Sequence, residues 1–134
     1  MYAEISALDD DLTFRLISLS DGTTNNRLSL GYRSDANAIY CEIKNANVAQ
    51  AFLLGTVADI KNVSKVAVKY KENDFALFIN GIEVATDLSG LVPSNLSVLT
   101  FSRGDGSLPF YGKTKSLQVY TTALSDAELT SLTT

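Results

Sequence analysis

A chain of 134 residues with 46% apolar side chains suits one hydrophobic core and one domain. The 11 Lys and Arg against 15 Asp and Glu give a net charge of −4 with no basic run, which argues against nucleic acid or an anionic membrane as a partner. No stretch approaches the ~20 apolar residues of a membrane span, and with no histidine and only Cys41 the chain has neither an internal disulfide nor a thiol–histidine pair.

Short alternating runs recur about every eight to twelve residues with turn residues between them, the pattern of a β-sandwich or barrel. In chain order the strands are predicted at 2–8, 13–19, 27–32, 38–43, 48–54, 65–71, 75–79, 82–85, 96–101 and 112–120. The intervening stretches are rich in turn formers: DGTTNN, SDAN, KNAN, KEND and, most explicit, Asn80-Gly81 between FALFI and IEVA, a pair that accepts the positive φ of a type I′ hairpin. A strand that starts at Tyr2 without a leader predicts a single domain over 1–134, taken from a longer chain.

Alternation also predicts facing. Leu28, Leu30 and Tyr32 point inward and Arg27, Ser29, Gly31 and Arg33 outward; Ile39, Cys41 and Ile43 point inward and Tyr40 and Glu42 outward; Val66, Val68 and Tyr70 share the inner face of their strand. The predicted core comprises Leu28, Leu30, Ile39, Ile43, Val66, Val68, Leu77, Ile79, Leu117 and Val119. Strands with one polar face each, joined by loops as long as TDLSGLVPSN and SRGDGSLP, predict two stacked antiparallel sheets rather than one closed barrel. At the end of the chain, Ser125 and Glu128 have the spacing of a capping box, with Leu124 and Leu129 as its hydrophobic staple. A helix of about two turns is not stable alone, so it is predicted to lean on the sandwich and close one end of a sheet.

The ordered set KVAVKYKENDFALFINGIEVATD, LTFSRG and FYGKTKSLQVYTTALSDAEL resembles the second half of a concanavalin A-like, laminin-G-like domain. The resemblance covers 64–134 well and TFRLISLSDGTTNNRLSLGYR more loosely. It implies an all-β fold: a two-sheet antiparallel jelly-roll sandwich with a short C-terminal capping helix. It is similar in particular to versions of the domain on phage particles and secreted bacterial proteins, which implies a virion-surface or extracellular setting and a glycan or polysaccharide partner. A structural module that packs against copies of itself, forming a homo-oligomer through the parent chain, is the alternative.

Catalysis is not expected. The laminarinase-like members use an E-x-D-x-x-E strand that places two carboxylates about 5 to 5.5 Å apart, whereas Glu4, Glu42, Glu72, Glu83 and Glu128 stand singly here. Asp9, Asp10 and Asp11 read as a solvated turn, with a calcium-side loop as the alternative. No cofactor is required; calcium is the one the resemblance leaves open, with Asp21 and Asp105, each beside a glycine, as its candidate ligands or as plain turn formers. The candidate ligand surface consists of the outward residues Arg27, Arg33, Tyr40, Glu42, Gln50 and Phe78. They combine rings that can stack on a pyranose with groups that can bond its hydroxyls, and an exposed Phe78 in particular would need a functional reason.

Overall fold

The computed structural model describes residues 1–134. The predicted runs become β1 (Tyr2–Ala7), β2 (Arg15–Ser20), β3 (Arg27–Tyr32), β4 (Ala38–Asn45), β5 (Val48–Thr56), β6 (Ser64–Lys71), β7 (Asp74–Ile79), β8 (Ile82–Asp87), β9 (Val98–Thr100) and β10 (Gly112–Gln118), followed by α1 (Asp126–Thr133). The strands form two five-stranded antiparallel sheets, ordered β10-β1-β6-β7-β8 and β5-β4-β3-β2-β9, stacked as a jelly-roll sandwich.

The inner faces follow the alternation. Leu28, Leu30, Ile39, Ile43, Val66, Val68, Leu77 and Ile79 are buried together with Ile5, Ile17, Leu53 and Phe75, and the thiol of Cys41 sits among them. Each such side chain contributes on the order of 1.5 to 3 kcal/mol by leaving water. Burial pushes the Cys41 thiol far above its ordinary pKa, so it is an inert apolar group here. Two residues of the predicted core differ. Leu117 is half-buried on the edge strand β10, and Val119 is 48% exposed. The physical reason lies in the register, because β10 pairs with β1 only as far as Gln118 opposite Tyr2, and Met1, the next residue, exchanges its backbone hydrogen bonds with Val68 of β6 and does not extend the ladder to Val119.

The Asn80-Gly81 turn adopts the expected left-handed backbone, with φ of 49° and 84°. Its tip is held twice, by the Lys65 N–H donating to Asn80 Oδ1 at 2.9 Å and by the Gly81 N–H donating to Thr133 Oγ1 at 3.1 Å. The second bond ties the hairpin to the last turn of α1.

The helix begins on the predicted cap: the Glu128 N–H donates to Ser125 Oγ at 3.4 Å and the Ser125 N–H donates to Glu128 Oε2 at 2.8 Å. The Ser125 hydroxyl donating to Glu128 Oε2 at 2.7 Å, with the Ser125 N–H beside it, holds the Glu128 carboxyl below its ordinary pKa. The helix does not close the end of a sheet. It lies across the outer face of the first sheet, where Leu129 packs on Tyr2, Ala67, Ala76 and Phe78, flanked by Leu124 and Leu132. Small residues at 67 and 76 let the helix approach. Lys69 fixes its start, with Nζ 2.6 Å from both Asp74 and Asp126. Phe78 is therefore corrected from the ligand surface to a second core: it is 1% exposed because α1 covers its face of β7. Removing the cap with Ser125→Ala is expected to cost about 0.5 to 2 kcal/mol in a chemical denaturation curve.

Candidate functional site

With the first sheet's outer face taken by α1, the outer face of the second sheet is the other broad surface. Register builds it row by row. Ser29 lies opposite Ser18 on one side and Glu42 on the other, and Glu42 lies opposite Phe52, so a polar row runs into an aromatic one. Tyr40 pairs with Gly31 and Leu54 in the next row. Glycine is required at 31, since a Cβ there would stand 1.9 Å from the Arg15 carbonyl oxygen.

The sequence-predicted residues divide into three groups. Arg27 and Glu42 do meet, with Nη2 2.5 Å from Oε2, but Arg27 also donates to the Thr24 carbonyl and, through Nε, to Ser29 Oγ at 3.1 Å. At 5% exposure it is an internal ion-pair partner, corrected from a ligand donor. Tyr40 is likewise covered: Phe14 meets its ring edge-on at 5.6 Å and Phe52 lies tilted at 5.5 Å, leaving it 4% exposed. Burial, with the charge of Glu42 adding to it, pushes the Tyr40 phenol well above its ordinary pKa. Gln50 is the extra residue of a β-bulge in the β4–β5 pairing and stands apart from the others. Its side chain donates to the Val48 carbonyl and accepts from the Leu91 N–H at 2.9 Å, which ties the 88–97 loop to the edge of the sandwich.

What remains open is centred on a residue outside the predicted set. Phe52 is half exposed. The Arg33 guanidinium lies 5.2 Å from its ring centroid, held there by Asp35 Oδ2 at 2.8 Å from Nε. Glu42 faces Phe52 across the β4–β5 ladder and accepts from Arg27 through Oε2 alone, leaving Oε1 available. An aromatic plane is thus bracketed by a cation and a carboxylate acceptor. The signal for Phe52 was present in the AFLLG run, whose alternation turns Ala51, Leu53 and Gly55 inward and Phe52 and Leu54 outward. A second cation–aromatic pair, Arg15 at 4.7 Å over the exposed ring of Tyr111, lies beyond the far edge of the sheet.

The calcium candidates are engaged in their own turns. Asp21 accepts from the Thr23 N–H and hydroxyl and from Asn26 Nδ2; Asp105 accepts from the Ser107 N–H and hydroxyl and from Arg103. These donors hold both carboxyls below their ordinary pKa, with the Asn26 bond the largest cause at Asp21 and the Arg103 bond at Asp105. A shell of N–H and O–H donors does not fit a calcium site, which needs converging oxygen acceptors, and no three His, Cys, Asp or Glu side chains are placed together to hold a metal ion. Glu42 is the one carboxylate on the five strands of the second sheet, so the paired carboxylates of a retaining glycosidase are not built there.

Residues 3–130 match the family described as the concanavalin A-like lectin/glucanases superfamily. The chain belongs to that superfamily. No curated protein is similar to it at a significant level. Among solved structures, this superfamily member is similar to the Ruminococcus gnavus IT-sialidase CBM40 bound to α2,3 sialyllactose, with 22% identity, a TM-score of 0.78 and coverage of 99% of this chain and 80% of that one. The same CBM40 bound to α2,6 sialyllactose aligns with 21% identity, a TM-score of 0.74 and coverage of 99% and 81%. At these identities the likeness is one of fold.

Proposed function

We propose that this superfamily member is a non-catalytic carbohydrate-binding module of an extracellular protein, carried on a phage particle or a bacterial surface. Its ligand site is the patch formed by Phe52, Arg33 and Glu42. The observation that carries the reading is the half-exposed Phe52 ring between a guanidinium and a carboxylate oxygen that has no protein partner. The ring stacks on the C–H face of a pyranose while the two flanking groups bond its hydroxyls. A CBM40 of the same fold was solved with sialyllactose, which supports a glycan as the ligand class and makes acidic sugars the first to test, with Arg33 as the cation. No metal takes part in this reading.

The patch is shallow. Each hydrogen bond nets only about 0.5 to 1.5 kcal/mol, so a single site is expected to bind with a dissociation constant on the order of 0.1 to 1 mM. An array of neutral and sialylated glycans, followed by calorimetric titration of its hits, tests the reading. Phe52→Ala is expected to weaken binding at least about tenfold while the melting temperature stays within a few degrees, and a chelator is expected to change nothing. Equal affinity of the two proteins would sink this site. Absence of any hit would move the reading to a structural module of a fibre or capsid.

A further inference from the structure

We infer that β5 is a pairing edge for a second copy of this chain, joining two molecules into one continuous ten-stranded sheet. The strand ends its sheet and pairs only with β4. No backbone hydrogen bond outside that ladder starts or ends on residues 48–56; the Gln50 side chain and the 88–97 loop engage the strand's 48–50 end, and from Ala51 to Thr56 the outer row of N–H and C=O groups has no protein partner. An unprotected row of this kind is a template for another strand. Proteins blunt such edges with charges, proline, bulges or covering loops; β5, VAQAFLLGT over nine residues, has no charge and no proline, and its bulge and loop contact are confined to Gln50 at one end. Val48, Phe52 and Leu54 are exposed along it.

Charge selects both the edge and its occupant. On β8 a two-fold pairing would bring together Glu83 and Asp87 of two copies, and on β10 Lys113 and Lys115; β9 has only three residues. The neutral β5 can meet itself without like-charge repulsion. Its sequence is also self-complementary about a two-fold axis through Leu53. In that register Leu53 faces Leu53 and Ala51 faces Gly55 on the inner side, while Phe52 of each copy faces Leu54 of the other on the outer side. Sliding by two residues in either direction sets Leu54 against Gln50 or Phe52 against Thr56, mixing apolar with polar. The favoured register therefore pairs like with like on both faces.

The contact is smaller than a standard stable interface, so a reversible dimer in the micromolar range is expected. Its consequence rests on the proposed glycan site: two Phe52 patches would lie side by side on one surface and bind a branched or repeating ligand together. The pairing itself is measured without any glycan, so failure of one reading is distinguishable from failure of the other. Sedimentation equilibrium of the wild-type chain is expected to show the dimer, and Leu54→Lys to weaken it at least about tenfold with an unchanged circular dichroism spectrum. Register is tested by mixing Phe52→Cys with Leu54→Cys under mild oxidation, since opposed Cβ atoms lie about 4.5 to 5.5 Å apart and Cys41 is fully buried. Disulfide forming chiefly between the two different variants supports the inference. A wild-type chain that stays monomeric at about 1 mM, a dimer indifferent to Leu54→Lys, or crosslinking chiefly within one variant would overturn it.

Discussion

Phe78→Ala is expected to cost about 3 to 5 kcal/mol, against about 5 to 15 kcal/mol of total stability in a typical domain. The ring is 1% exposed and packed beneath α1 with Tyr2, Ala67, Ala76 and Leu129. Truncation removes its transfer free energy and leaves a cavity that the short helix cannot fill without shifting. Because α1 is too short to be stable by itself, the loss should appear first there. Hydrogen exchange at the 126–133 amides is expected to accelerate before the strands of the second sheet respond, while urea denaturation reports the full loss. A measured cost under about 0.5 kcal/mol would mean that α1 does not cover this face in solution.

The second large effect is expected on the opposite surface. Glu42→Ala leaves the Arg27 guanidinium, with its side chain 6% exposed, without its carboxylate partner. Breaking a fully buried ion pair on one side costs about 3 to 5 kcal/mol. Glu42 has 22% of its side chain in solvent, and Arg27 retains the Thr24 carbonyl and Ser29, so a loss of about 2 to 3 kcal/mol is expected. The same change removes an acceptor from the proposed glycan patch, so binding and stability should fall together. Under Phe52→Ala binding should fall with only a small loss of stability, from the contact with Tyr40. A Glu42→Ala protein that melts with the wild type would show that the pair is solvated and that Arg27 is free to meet a ligand.

The fold was legible in particular stretches of the chain. RLSLGY predicts a strand at the residues that form it, Asn80-Gly81 predicts its hairpin, and Ser125 with Glu128 predicts the helix start. Each rests on chemistry within a few residues, where backbone preference and side-chain reach suffice. The site was less legible. Arg27 and Glu42 are outward and neighbouring as expected, yet they bond each other rather than the solvent; Tyr40 is outward yet lies under Phe14 and Phe52. Phe52, the ring that stays open, lay outside the predicted set although its own strand alternates clearly.

The sequence by itself determined which way most strand side chains point, because that depends on a period of two within one strand and on turn residues that set where the period restarts; Val119, beyond the β1–β10 ladder, and Gln50, in a bulge, fall outside it. What only the tertiary structure decided is which outward faces remain outward. The face carrying Ala67, Ala76 and Phe78 is closed by a helix some 50 residues further along the chain, anchored at Lys69 by Asp126. The face carrying Arg27 and Tyr40 is closed in part by its own cross-strand partners and by Phe14, which arrives from the far side of β3. Coverage is a property of surfaces brought together over long stretches of chain, and no local pattern records it. That is why Phe78 moved into a core and Phe52 stayed at the surface, although both are phenylalanines on the outer sides of their strands.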